Sequence, residues 1–212
     1  MNDVTLLEKA YQLEGLTFLQ LARILNLELP QHTKHAKGWL GQSVERYLGA
    51  TAGSKAMPDF PSLGIELKTL PLSATAKVLE STYVTTLPLL LEPPLIWELS
   101  VCYQKLKKVL WLPIEGDKRI PFAHRRIAKA VLWEPNAAQE MQLKADWSLI
   151  MEMVLTGKIE ELDARLGEFL HIRPKGAHSK VSTLAMGEDQ DLIRTMPRGF
   201  YLRSSFTQSI LA

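Results

Sequence analysis

Only one cysteine, Cys102, occurs in a chain of 212 residues. A lone thiol excludes an internal disulfide and a cysteine-based zinc site, and it fits a reducing compartment. The five histidines show no metal-ligand spacing; His32 and His35 sit in a polar stretch and read as solvated loop. No apolar run reaches the length of a membrane span, and the stretch from Leu87 to Leu95 is interrupted by prolines. The first residues carry Asp3 and Glu8 and lack a secretory leader pattern. Repeats and low-complexity tracts are absent. What remains is 46% hydrophobic and 23% charged. That is an ordinary globular composition, enough for one good core or two modest lobes around a cleft. The expectation is a cytoplasmic protein with no membrane attachment.

Charge of one sign is scarce overall, at a net +2, but it is unevenly placed. Residues 104–129 hold eight Lys/Arg against Glu115 and Asp117, and residues 165–212 hold seven against four acids. Basic segments of this kind suit a polyanion, and equally a solvated basic face.

Apolar spacing predicts short amphipathic helices over 4–12 and 17–26, with Thr17 as N-cap, and a polar loop from Pro30 to Gly38. A helix follows over 38–48, on Leu40, Val44 and Leu48, with Gly49 as its stop. Strand-like runs follow at 79–87, 95–103, 107–114 and 128–134. Asn136 should cap a long helix over 137–156, with a shorter helix over 158–166. Short strands over 168–174, 191–196 and 199–203 lead to a last helical turn from about 206. Helix 17–26 superficially resembles part of a helix-turn-helix. With Arg23 as its one basic residue, a packing role suits it better.

The stretch that stands out runs from Pro58-Asp59 to Glu66-Leu67-Lys68. Leu63, Ile65 and Leu67 alternate with Gly64, Glu66 and Lys68, the period of a half-buried strand. Glu66 and Lys68 therefore share a face. Two carboxylates offer hard oxygens to Mg²⁺, and a lysine beside them can orient water and offset charge on a phosphate. Glu45, beside the apolar stripe of helix 38–48, is either an ordinary helix carboxylate or a third acid of the same site. The small-residue loop from Ala50 to Lys55 is either a linker or a close approach to phosphate.

This pattern resembles the PD-(D/E)xK motif of the restriction-endonuclease-like nucleases. Taken alone, it also describes an exposed, charged strand face. Six stretches in order, the motif strand among them, make the resemblance specific to the MutH family of methyl-directed mismatch-repair nicking endonucleases. They are Lys37-Gly38-Trp39-Leu40-Gly41, Leu48-Gly49-Ala50-Thr51-Ala52-Gly53-Ser54-Lys55, Gly64-Ile65-Glu66-Leu67-Lys68-Thr69, Lys107-Lys108-Val109-Leu110-Trp111, Ile172-Arg173-Pro174-Lys175 and Pro197-Arg198-Gly199-Phe200-Tyr201-Leu202. The resemblance implies an α/β fold, a mixed β-sheet flanked by helices, with two arms around a DNA-binding cleft. Here those arms would be a catalytic 1–103 and a recognition 104–212.

It also implies roles. Asp59, Glu66 and Glu45 match metal-binding carboxylates for Mg²⁺, with Mn²⁺ or Ca²⁺ able to take the same place. Lys68 matches the motif lysine, and Lys105 a lysine that contacts DNA or supports cleavage. Arg173, Pro174, Lys175 and Tyr201 match segments that read GATC and sense adenine methylation. Lys37, Ser54, Lys55 and Arg198 complete the DNA-binding set. The implied partners of a monomer are duplex DNA containing GATC and the MutL ATPase, with MutS upstream. Family members continue several residues beyond the position of Leu211-Ala212, so a shortened C-terminus is expected, which bears on partner contacts and not on the active site.

Two rival readings remain at this point. A restriction enzyme of the same superfamily would cut both strands of GATC. A non-catalytic DNA-binding module would use the helix pair over 4–26 and would leave Asp59, Glu66 and Lys68 without a role.

Overall fold

The computed structural model describes residues 2–30, 33–91, 95–175 and 181–211, with the backbone alone for 33–37. The loop reading of His32 and the side chain of Lys37 lie outside the described residues, whereas the backbone at His35 is helical. The elements are α1 (Asp3–Tyr11), α2 (Phe18–Leu25), α3 (Thr33–Leu48), β1 (Glu66–Leu72), β2 (Thr82–Thr86), α4 (Val101–Leu106), β3 (Val109–Glu115), β4 (Val131–Trp133), α5 (Ala137–Leu155), β5 (Leu170–Pro174), β6 (Thr183–Met186), β7 (Leu192–Thr195), β8 (Arg198–Leu202) and α6 (Ser204–Ile210). Among the described residues, no helix is long and apolar enough to cross a membrane. The architecture is α/β with small sheets, as the sequence implies.

Packing divides the chain into two units, each discontinuous in sequence. The first holds Met1–Glu80, Lys107–Glu134 and Leu211–Ala212; the second holds Ser81–Leu106 and Pro135–Ile210. The expected arms, 1–103 and 104–212, are a linear division, whereas the packing units interleave.

In the first unit, β1 pairs parallel with β3, and β3 antiparallel with β4, giving a mixed sheet in the order β1-β3-β4. β3 is buried over its first five residues, as a central strand should be. Leu6, Phe18 and Leu21 from the first two helices, and Leu40, Val44 and Leu48 from α3, join Ile65, Leu67, Leu110 and Leu112 in one core. Thr17 caps α2 in a reciprocal box with Gln20, as its position before the apolar stripe predicts. The expected loop from Pro30 to Gly38 is corrected: α3 starts at Thr33. Gly38 is exposed there, and its missing side chain costs the helix little once Leu40, Val44 and Leu48 are buried.

In the second unit, β2-β8-β5 form an antiparallel sheet, and β6-β7 form a hairpin. Asn136 caps α5 in a second capping box, with Gln139. Two expectations fail here for local reasons, and one strand was not expected. The run 95–103 is a 3-10 turn (Trp97–Leu99) followed by α4, because Ser100 Oγ accepts from Tyr103 N at 3.0 Å in the manner of an N-cap. The run 158–166 keeps only a 3-10 turn over Ile159–Glu161. There the Asp163 carboxylate takes the Arg165 amide at 2.7 Å, and its guanidinium as well, so side chain competes with helix. Strand β6 has no polar alternation to announce it, since Leu184 and Met186 are both exposed.

Asp146, midway along α5, ties that helix to the segment entering β5. Its buried carboxylate accepts from Glu168 N at 2.9 Å, Phe169 N at 2.7 Å and Leu170 N at 2.8 Å, and from Gln142 Nε2 at 2.8 Å. It thereby fixes the start of β5.

Candidate active site

The motif folds as a turn feeding a strand. An isolated antiparallel bridge pairs Phe60 with Ile65, closing the turn over Pro61–Gly64. Gly64 adopts φ 65°, a left-handed conformation that favours glycine. A side chain at that position would also meet Lys107, whose Cε lies 3.1 Å from where its Cβ would stand.

The turn returns Asp59 to the strand it precedes. Asp59 Oδ2 accepts from Leu67 N at 2.9 Å, so its carboxylate is fixed to the backbone of β1 between Glu66 and Lys68. Asp59 O receives Thr51 N at 3.0 Å, which ties the segment after α3 to the same turn. On β1, Lys68 Nζ donates to Glu66 Oε1 at 2.6 Å. The expected shared face is present, but it is not the solvated face of an ordinary charged strand. Glu66 is 1% exposed. Burying a carboxylate without chemical purpose is costly, and its pairing with an ammonium on the same strand offsets part of that cost.

Glu45 is half-buried on α3, and Lys105 is half-buried in the last turn of α4. Among the described residues, no group of three or more His, Cys, Asp or Glu side chains is clustered to hold a metal. The carboxylates of Asp59 and Glu66 nonetheless fit Mg²⁺. That ion is bound through one or two carboxylates, with water and phosphate oxygens completing its shell, rather than by an all-protein cage.

Ser54 and Lys55 are exposed in the turn before the motif. Three cations of the basic segment 104–129 have partners within the protein. Lys108 pairs with Asp3 and with Glu134, Arg119 with Asp117 at 2.6 Å, and Arg126 Nη1 donates to Gly15 O at 2.7 Å. Lys107 was given no role from the sequence, although it lies in the basic run and opens the stretch Lys107–Trp111; it stands beside Gly64 of the motif turn.

In the second unit, Tyr201 and Arg173 share one face of the β2-β8-β5 sheet, whereas Arg198 and Pro174 fall on the opposite face with Phe200. Phe200 and Leu202 are buried, so Tyr201 points the opposite way, as the alternation predicts. Tyr83 lies directly across from it, with ring centroids 5.3 Å apart, edge to face. Gly199 makes room for both rings: a Cβ there would come 2.9 Å from Tyr83 Cε2 and 3.3 Å from Tyr201 Cε2. The Arg173 guanidinium lies 5.8 Å from the Tyr201 ring centroid. Burial, then the neighbouring Tyr83, pushes the Tyr201 phenol up from its ordinary range. Pro174 is exposed at the end of β5, opposite Arg198. Arg198 Nη1 donates to Thr195 Oγ1 at 2.8 Å and to Met196 O at 3.1 Å, so its guanidinium braces its own turn. Tyr83 was not singled out in sequence, because nothing local marks β2 as facing the same way as β8.

An α/β fold with Asp59 locked to a strand that carries a buried Glu-x-Lys pair is that of a restriction-endonuclease-like nuclease. The sequence model described as "DNA mismatch repair enzyme MutH" matches residues 48–146. The chain is 48% identical over 210 residues to the DNA mismatch repair protein MutH of Pasteurella multocida (strain Pm70), covering 99% of this chain and 95% of that one. It is 47% identical over 211 residues to that of Serratia proteamaculans (strain 568), covering 100% and 92%. With that of Escherichia coli O9:H4 (strain HS), it shares 45% over 211 residues, covering 100% and 92%. The chain belongs to the MutH family, the methyl-directed nicking endonucleases of DNA mismatch repair.

Proposed function

We propose that this chain hydrolyses one phosphodiester in the unmethylated strand of hemimethylated GATC sites, in a Mg²⁺-dependent reaction. The observation that carries the reading is the buried Glu66, paired with Lys68 at 2.6 Å on the strand to which Asp59 is fixed. Asp59 and Glu66 would hold the cation, with Glu45 as a further acid from α3. When bound, the cation supplies Lewis-acid polarisation of the phosphodiester. Lys68 orients the attacking water and offsets charge developing on the phosphate, and Lys105 contacts DNA or supports cleavage. One such constellation per chain suits a nick rather than a double-strand break.

Recognition falls to Arg173, Pro174, Lys175 and Tyr201, with Lys37, Ser54, Lys55 and Arg198 supporting the backbone. Unmethylated adenine presents N7 and N6–H in the major groove, and a methyl on N6 enlarges that edge. A rigid phenol beside it separates the two states by contact. The proposed activator is the MutL ATPase, relaying mismatch detection by MutS.

The test is supercoiled plasmid bearing GATC, with and without Mg²⁺. Nicked circles that require the cation are expected. Linear product would replace this reading with a restriction enzyme, and unchanged plasmid, even with MutL, would replace it with a DNA-binding module.

A further inference from the structure

Strand β2 carries a bulge between Tyr83 and Thr85. In a regular strand, Thr85 would share the face of Tyr83. The bulge advances the register, so that Thr86 stands opposite Gly199 while Tyr83 stands opposite Tyr201. Thr86 is thereby turned onto the face of Tyr83, and the two hydroxyls lie 3.0 Å apart. Bulges recur where a strand must re-aim a side chain. Here the re-aimed hydroxyl meets a cation. Lys175 Nζ donates to Thr86 Oγ1 at 2.7 Å and to the Tyr83 hydroxyl, and it sits 4.4 Å from the centroid of the Tyr83 ring. Lys175 N is anchored in turn on Pro197 O at 2.8 Å.

Proton counting gives this triangle a direction. An ammonium only donates, so both hydroxyl oxygens accept from it. One hydroxyl proton can bridge Tyr83 and Thr86; the other must point away from the cation. Two of the three ammonium N–H groups go to the hydroxyls, which leaves one. The cluster therefore presents donors outward: one N–H and one O–H. Such a cluster selects a partner rich in acceptors. On duplex DNA, that is a guanine edge, with O6 and N7, or a phosphate oxygen.

We propose that Tyr83 and Thr86 are positioning residues for Lys175, and that their hydroxyls hold its ammonium as a fixed donor toward acceptor atoms of the GATC duplex. The proposal rests on the reading of Lys175 as a DNA contact. A lysine on a free four-carbon stem loses much rotamer freedom on binding. Two hydroxyls and an aromatic ring remove that freedom beforehand, which favours association rather than the chemical step.

The experiment measures nicking kinetics of full-length Thr86→Val, Thr86→Ser, Tyr83→Phe, Lys175→Ala and the double variant Thr86→Val/Lys175→Ala on one GATC duplex. Thermal melting confirms folding. Thr86→Val and Tyr83→Phe each lower kcat/KM on the order of 3- to 10-fold, the worth of one hydrogen bond, mainly through KM. Thr86→Ser restores the wild-type value to within about twofold, because it restores the hydroxyl. In the Lys175→Ala background, Thr86→Val adds nothing. A 7-deazaguanine duplex that silences the Lys175→Ala effect identifies the guanine edge as the acceptor. A slope of log binding constant against log salt that falls by about one identifies a phosphate. Either result fits the proposal. If Lys175→Ala loses activity while Thr86→Val and Tyr83→Phe match wild type, the positioning proposal fails and the DNA contact stands. An equal loss from Thr86→Val with and without Lys175 also overturns it. If Lys175→Ala itself matches wild type, the underlying reading fails.

Discussion

The Lys68 ammonium meets Glu66 Oε1 at 2.6 Å across one face of β1, and the glutamate side is nearly closed to solvent while the lysine remains partly open. The pair is therefore asymmetric, with the charge proposed to hold a cation inside and the charge proposed to meet substrate outside. Glu66→Gln keeps the shape and an acceptor for Lys68 but loses the anion. It should lower nicking by at least ~10²-fold, as should Lys68→Ala. Duplex affinity should stay near wild type, because affinity comes mainly from phosphate contacts. Single-turnover nicking and a binding titration on the same duplex check both statements, and normal nicking by Glu66→Gln would remove the assignment.

Asp59 does two things that substitution can separate. Its Oδ2 holds the Leu67 amide at 2.9 Å, and its charge is proposed to serve the cation. Asp59→Asn keeps an oxygen for the amide and should melt close to wild type while failing to nick. Asp59→Ala should fail to nick and also lose about 1–3 kcal/mol of stability. Equal stability of the two variants would show that the Leu67 bond contributes nothing.

Tyr201 is packed on Tyr83 and lies near the Arg173 guanidinium. Tyr201→Ser should still nick, but it should discriminate less between hemimethylated and fully methylated GATC, by ~1–3 kcal/mol or one base contact. The ratio of nicking rates on duplexes differing only in adenine methylation measures this. A variant that keeps the wild-type ratio passes the sensing role to Arg173, Pro174 and Lys175.

Asp146 has no proposed part in chemistry, yet it accepts from three consecutive amides at the start of β5. Asp146→Ala would leave those buried donors unsatisfied and should cost about 3–5 kcal/mol. Chemical denaturation gives the value. A loss below about 1 kcal/mol would mean that water replaces the carboxylate without difficulty.

His171 links stability to pH. Burial draws its imidazole below the ordinary 6.5, helped by the positive Arg203 and Arg173 and opposed by the Ala164 carbonyl. Nδ1 faces Ala164 O at 3.3 Å and Nε2 faces Ser81 Oγ at 3.2 Å, which suits a neutral ring. The unfolded chain thus takes up a proton at a pH where the folded protein does not. Stability should be full above the unfolded value and fall as pH drops through it. Between about pH 7.5 and 5.5, Tm should fall less in His171→Gln than in wild type. Parallel curves would rule out this linkage.

The motif strand could be read from the chain because its alternation is local: Glu66 and Lys68 share a face whatever packs on them. The caps Thr17 and Asn136 were readable for the same reason. Position of Asp59 against Leu67 depends on a turn closed by Phe60 and Ile65, and the spacing alone could not show it. The start of α3 was missed because Lys34 to Gly38 has no apolar stripe of its own. Arg165 and Asp163 undid the helix expected over 158–166 through a side-chain contact that propensity does not count. In the basic run 104–129, Lys108, Arg119 and Arg126 have partners within the protein that the run itself could not announce, distant in sequence or simply an acidic neighbour. Tyr83 and Thr86 were invisible because a bulge, not a period, sets their common face.

The parallel pairing of β1 with β3 has a consequence for synthesis. Glu66 N is bonded to Lys108 O, so the motif strand acquires its partner only after the whole of Ser81–Leu106 has been made, a stretch that belongs to the other packing unit. During translation β1 should therefore wait with the edge that β3 later covers still unsatisfied. Loop closure over that distance slows the pairing. A nascent chain halted before Lys107 should be protease-sensitive at Glu66–Leu72, and one extended past Glu134 should be protected there. The nuclease chemistry should thus be unavailable until both strands of the pair have left the ribosome.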